Sequence, residues 1–325
     1  MNSPKVATTA LIAVLICGFI GSTGYAQDFL NGGSAVPEAS LNSPTSVLNT
    51  QSVYLPDCLL AATAGRTETS GWQYMPAGLM YHSYLAGMKE PRFNTTWLRD
   101  QNGKFNWENQ LGGRVGIIRY GDFRAVNPNG WQLDLEGGGQ VRLLPDQNTD
   151  VEAVDFRVGF LLTRRKDLWS WKTGYYHISA HVGDEFLIAH PGFNRLNYVR
   201  DAGIIGVSRD IEIAGRPDMR VYGEYAYAFN HEVGKPNEFQ FGVEYSPLLF
   251  NGWRGSPFWA VNGSFREDRN WDAKSINMNA GWQWRNEATN HRFRIGGQLY
   301  DGDSPQYSFP GKKETMYGWG MWFDY

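Results

Sequence analysis

The sequence predicts an all-β fold, an antiparallel transmembrane β-barrel of about 12 strands (roughly 10–14). Three observations predict it. From Arg92 onward, apolar and polar residues alternate with a period of two. Aromatic residues make up 15% of the 325 and charged residues only 19%. Yet beyond the N-terminus no stretch holds the roughly 20 consecutive apolar residues of a membrane helix. Finally, the closing segment "TMYGWGMWFDY" sets Tyr317, Trp319, Met321, Phe323 and Tyr325 on one face, with Gly318 and Gly320 on the other.

Residues 1–26 read as a secretory signal peptide. A single early charge, Lys5, precedes the apolar run "ALIAVLICGFI", and Gly24 and Ala26 stand at the small-x-small positions of a cleavage site. Ile16 is bulky where a lipoprotein signal needs a small residue before Cys17. Cleavage leaves one thiol, Cys58, and so no internal disulfide framework. Removing Lys5 from the 30 basic side chains leaves 29 against 33 acidic ones. That balance gives no footprint for nucleic acid. Residues 27–70, rich in Ser, Asn, Gly and Pro, read as a low-complexity linker. Residues 71–90 are dense in aromatics without alternation and read as an N-terminal strap or short helix; the barrel is expected over 91–325.

The strands follow in order. After an irregular one beginning at Arg92 and another near 111–120, clear alternation covers Trp131–Glu136 and Val154–Leu162. Further strands are expected near 169–182 and 196–208, then over Met219–Phe229 and Phe239–Tyr245. A less regular one near 257–266, then Ile276–Trp284, Phe293–Leu299 and the closing strand complete the set. Breakers such as "NPNG", "PDQNTD", "AGRPD" and "GKPN" fall between them. "GGG" at 137–139 reads as a bend or tight turn.

Alternation does not say which face points outward, and a soluble β-sandwich or closed soluble barrel that binds a ligand is the competing fold. Aromatics near strand ends resemble interfacial girdles, and the polar faces mix both charge signs with amides as a wet lumen does. Both favour the membrane barrel. Its partners would be outer-membrane lipids. In the closing strand the aromatic face is expected outward, the glycines inward and Asp324 at the interface, paired antiparallel with the strand near Arg92.

The closing alternation resembles the C-terminal signal by which outer-membrane barrels are recognised by the barrel-assembly machinery. More specifically, "YLAGMKEPRF" (84–93) and "YHISAHVGDEF" (176–186) resemble an exported bacterial family called domain of unknown function 1207. The likeness runs from about Trp72 to the end. It implies a barrel in the cell outer membrane and leaves the activity open, with a structural or transport role through a polar lumen as the first expectation.

One stretch concentrates chemistry: His177, Ser179, His181, Asp184 and Glu185. Three readings compete. In the first these residues form a luminal network, Asp184 and Glu185 pairing with Arg195 or Arg200. In the second they bind a metal. His177 and His181, roughly 13 Å apart along a strand, cannot share one ion, and His181 with Asp184 can do so only if the chain turns at Gly183. In the third, His177 and Ser179 are base and nucleophile, side by side on one strand face. The His-x-Ser spacing is similar to that of outer-membrane phospholipase A, a lipid hydrolase on a twelve-stranded barrel. That resemblance implies Asn194 (or Asn197) as the residue orienting His177, with calcium as a cofactor under that alternative alone. No other cofactor is expected. Two departures stand against it: Ala180-His181 follows the serine where the phospholipase has Asn-Gly, and alternation with Ile178 and Val182 is expected to turn His177 and Ser179 into the lumen instead of toward lipid.

Overall fold

The computed structural model describes residues 70–196, 198–268 and 272–325. The expected signal peptide, nearly all of the linker, Cys58 and Asn197 lie outside these. The first element, β1 (Gly71–Tyr74), pairs with the end of β3 on the outside of the barrel. Twelve strands then follow: β2 (Phe93–Asp100), β3 (Phe105–Gly121), β4 (Gly130–Leu144), β5 (Asp150–Lys166), β6 (Trp169–Val182) and β7 (Tyr198–Ile213). The second half is β8 (Arg216–His231), β9 (Asn237–Tyr245), β10 (Ser256–Arg266), β11 (Ala273–Arg285), β12 (Arg292–Asp303) and β13 (Lys313–Asp324). Each pairs antiparallel with the next, and β13 pairs with β2 in the register Trp319↔Trp97 and Phe323↔Phe93. The sheet thereby closes and the twelve have no free edge. One short helix, α1 (Asp184–Ala189), stands in the β6–β7 loop.

Turn chemistry sets the register. Between β7 and β8, Ala214 and Gly215 both take positive φ (52° and 78°), which joins strands of right-handed twist in two residues. The run Gly137–Gly139, expected as a turn, is instead mid-strand in β4. A Cβ on Gly112 of β3 would stand 2.3 Å from Gly137 O, so the glycines permit a close backbone approach between these strands.

The polarity of the barrel is that of a transmembrane wall. Phe156, Val158, Phe160 and Leu162 of β5, like Ile205 and Val207 of β7, project outward and are exposed, as is Trp319 at 52%. The interior is charged: Arg92, Arg114, Arg142, Arg200 and Arg294 are fully buried. Each carries partners, as burial requires. Arg142 meets Glu108 (2.5 Å), Glu152 (3.1 Å) and Glu314 (2.8 Å), while Arg114 meets Glu136 (2.5 Å) and Arg157 shares that same glutamate at 2.8 Å. A soluble barrel would show the reverse.

In β13 the outward set is as the alternation predicts, with one correction. Asp324 is not interfacial. It shares the inward parity of Trp322 and Gly320 and is buried between Arg294 (2.6 Å) and Arg92 (2.9 Å).

The lumen is filled. Residues 75–92, which contain no strand or helix, enter from the end where β2 begins and β13 ends, rise to mid-barrel and return to Arg92. Irregular backbone inside a membrane barrel needs partners for its polar groups, and the wall supplies them. Arg119 donates to Ala77 O and Gly78 O (both 2.9 Å), Arg220 to His82 O (2.8 Å) and Ser83 O (3.0 Å). Asn277 donates to Ala86 O (2.7 Å) and Gln110 to Met88 O (2.6 Å), while Leu85 N donates to Glu244 Oε1 (2.5 Å). Tyr84 stacks on Tyr222 at 3.8 Å between centroids. From the opposite end the β12–β13 loop descends, burying Gln306, Tyr307 and Phe309; Tyr307 meets Lys89 of the strap, 4.4 Å from its ring centroid.

Candidate functional site on the outer wall

The β6 segment does not face as alternation alone predicts. Tyr176, Ile178 and Ala180 are buried on the luminal side, in a cluster with Tyr198, Ala202, Ile204, Ala228 and the descending Tyr307. His177 and Ser179 therefore point outward. In register they stand beside Val158 and Phe156 of β5, both exposed on the outer wall. The expected luminal cluster is corrected accordingly. His177, Ser179 and His181 share the outer face, His181 with its ring 6.2 Å from Phe156. Asp184 and Glu185 are exposed in the first turn of α1, and Arg195 is exposed in the loop after it. Only Arg200 is luminal; it pairs with Glu238 (3.5 Å) and donates to the carbonyls of Lys235 (3.0 Å) and Pro236 (2.8 Å), so no link from it to Asp184 or Glu185 forms.

The outer wall here carries a polar constellation. His177 Nδ1 lies 2.8 Å from Asp201 Oδ1, across the β6–β7 pair where the two residues are direct register partners. Asp201 also accepts from Tyr175 OH (2.5 Å) and from Asn230 Nδ2 (2.6 Å) of β8. Three donors from the two flanking strands, β6 and β8, fix the carboxylate. With Asp201 accepting at Nδ1–H, the imidazole is held as the tautomer whose Nε2 is a free base. Ser179 stands two residues along the same face, about 7 Å by backbone rise. Among the described residues Ser179 Oγ makes no hydrogen bond to His177; such bonds commonly form only with substrate in place.

The surroundings are apolar: Phe160 lies 5.5 Å and Phe229 6.0 Å from the Tyr175 ring. The His177 side chain is 35% exposed and Asp201 15%. A carboxylate on a lipid-type wall is expensive and calls for a reason. Asn194, expected to orient His177, is exposed in the β6–β7 loop, and the orienting residue is Asp201 instead. The signal that would have found it is parity: Asp201 interrupts the outward series Val199, Gly203, Ile205 of β7. Among the described residues no group of three or more His, Cys, Asp and Glu side chains is placed to hold a metal ion, so the turn at Gly183 does not bring His181 and Asp184 into such a site.

Comparison with known proteins adds the following. No curated protein matches the chain. Outer membrane phospholipase A from Escherichia coli is similar in structure, at 14% identity and a TM-score of 0.45, covering 72% of this chain and 98% of that one. The Salmonella typhi outer membrane phospholipase dimer with bound calcium is similar at 15% identity and a TM-score of 0.42, over 71% and 89%. A NanC porin structure follows at 12% and 0.38, over 71% and 98%. Likeness at this level carries no inference about activity. The profile of one family matches residues 52–325, most of the chain. The chain therefore belongs to that family, described as protein of unknown function, DUF1207.

Proposed function

We propose that this protein is an outer-membrane barrel with a closed lumen that hydrolyses ester bonds of membrane lipids on its outer wall. The observation that carries the reading is the hydrogen-bonded His177–Asp201 pair beside Ser179 on an otherwise apolar face. The apolar outer wall and charged interior support the location. Export by the N-terminal segment and recognition of Tyr317–Tyr325 by the barrel-assembly machinery belong to the same proposal. Cell fractionation tests location: recovery in the soluble fraction without detergent would overturn it.

In this mechanism Ser179 Oγ attacks the ester carbonyl as His177 Nε2 takes its proton, and Asp201 stabilises the imidazolium. The C–O bond to the leaving alcohol breaks, and His177 returns the proton to that alcohol. Water, deprotonated by the same Nε2, then releases the fatty acid and regenerates Ser179. A lipid in the surrounding leaflet needs no entry path, since the wall itself faces the substrate. Purified full-length protein in phospholipid mixed micelles, assayed with and without calcium, should release fatty acid. Ser179→Ala and His177→Ala should each lower kcat by about 10³-fold or more. Release unaffected by either substitution, or none from wild type, would sink the enzyme reading.

A further inference from the structure

The strap and the wall line a cleft at the end of the lumen where β2 begins and β13 ends. Its lining includes His82, Asn127, Arg220, Ser246, Arg285 and Arg292. The lining also carries three carboxylates, Asp210, Asp218 and Glu244, against its three arginines, and Arg165 and Arg216 stand behind two of those carboxylates. Each carboxylate there already has its own arginine: Asp210 pairs with Arg165, Asp218 with Arg216 (3.0 Å) and Glu244 with Arg220 (2.8 Å). Arg285 and Arg292, which flank the β11–β12 turn, meet no carboxylate within ion-pair distance among the described residues.

Both lean on neutral acceptors. Arg285 donates to Asn290 Oδ1 (2.6 Å), to Ser246 Oγ (3.0 Å) and, at 3.4 Å, to Ser246 O; its Nε is buried without a partner. Arg292, itself buried, donates at 3.1 Å to that same Ser246 Oγ. Two guanidiniums thus converge on one hydroxyl inside a walled cleft. Uncompensated cations in such a place repel each other and lack the counter-charge that burial demands. Nearly every other buried arginine of the lumen has a carboxylate or several carbonyls. A tetrahedral dianion answers this arrangement, since it accepts from two guanidinium forks at once.

We propose that this cleft binds a phosphate group, gripped by Arg285 and Arg292, beside the Ser246 hydroxyl, which itself donates to Gln283 Oε1 at 2.8 Å. Free phosphate and a phosphomonoester lipid headgroup share that chemistry. The test is calorimetric titration of inorganic phosphate into the full-length protein in non-ionic detergent micelles at constant ionic strength. Saturable binding is expected, absent with chloride, and weakened about tenfold or more by Arg285→Gln or Arg292→Gln. Lys313→Gln, at the far end of the barrel, should leave it unchanged. Where a glutamine variant does not assemble, Arg292→Lys keeps the charge, loses the fork and should show the same weakening. Phosphatidic acid in the micelles distinguishes the sources: competition with inorganic phosphate indicates a headgroup, and its absence indicates the free anion. No saturable binding, or equal affinity in wild type and the arginine variants, would overturn the proposal.

Discussion

Asp324→Ala removes the carboxylate that joins the last strand to the residue just before the first. In the native barrel Asp324 lies 2.6 Å from Arg294 Nε and 2.9 Å from Arg92 Nη1, and all three side chains are almost fully buried. Arg92 in turn donates through Nη1 to Leu85 O at 2.9 Å and through Nη2 to Tyr84 O. The substitution therefore leaves two buried guanidiniums facing each other without a counter-charge. Breaking a buried pair in this way costs roughly 3–5 kcal/mol. An exposed pair gives the scale: Lys313 meets Asp272 at 3.8 Å, with side chains 47% and 56% exposed. Asp272→Ala should cost no more than about 1 kcal/mol. The assay is reversible denaturant unfolding in lipid vesicles, followed by tryptophan fluorescence and by heat-modifiable gel mobility. Asp324→Asn, which keeps one acceptor oxygen, should fall between the two. If Asp324→Ala and Asp272→Ala destabilise equally, the seam carboxylate is not the clasp described.

Other outcomes follow from the same geometry. Phe160 is 54% exposed at mid-strand on the outer wall, so Phe160→Arg should cost about 2–4 kcal/mol if it lies near the membrane midplane, whereas the inward neighbour Leu161 is buried against luminal residues. Loss of membrane yield for Phe160→Arg no greater than for an exposed loop substitution would contradict the lipid-facing assignment. Wild-type protein in planar bilayers should conduct little, and replacing residues 77–89 with a short Gly/Ser linker should raise conductance severalfold; equal conductance would mean the strap is not what closes the lumen. His82 lies in the strap, and burial, then the charges of Arg292, Arg220 and Arg165, hold its imidazole well below the usual 6.5. The folded chain thus resists a proton that the unfolded chain accepts, so stability is full above pH 6.5 and falls as the pH drops below it. The loss is up to about 1.4 kcal/mol per pH unit. His82→Gln should lose that part of the acid sensitivity, read as hydrogen exchange of the strap at pH 5 and 7.5; identical profiles would rule it out.

The walls of this barrel were legible in the sequence because a two-residue period survives any tertiary detail. Residues 154–162, 219–229 and 315–325 show it plainly, and all twelve strands lie where alternation and breakers placed them. What alternation could not supply was the content of the lumen. In β6 the more apolar face is the inner one, since Tyr307 and Tyr198 come to rest on Ile178 and Ala180. A rule that sends the apolar face outward therefore turned His177 and Ser179 the wrong way. Asp324 failed for a related reason: its partners, Arg92 and Arg294, are 232 and 30 residues away in sequence, and nothing local marks the pairing. Asp201 was missed because its role depends on lying opposite His177, a matter of register between strands joined by a long loop.

The strap that fills the lumen also constrains the order in which the chain can be assembled. Residue 92 passes into β2 without a spacer, while Leu85 touches groups from β9, β11 and β12, far along the chain. The strap enters and leaves by one end, so it needs no threading. But it fills the lumen and is seated most readily while the sheet is still an open, curling ribbon, with the β2–β13 zipper as the final step. Such contacts join residues more than 150 positions apart, so the search for them is slow and begins only after most of the ribbon exists. Plugging and sealing then become one kinetic event, with the Arg92–Asp324 latch engaging as the seam meets, and a barrel that closed empty would be a trap to be reopened.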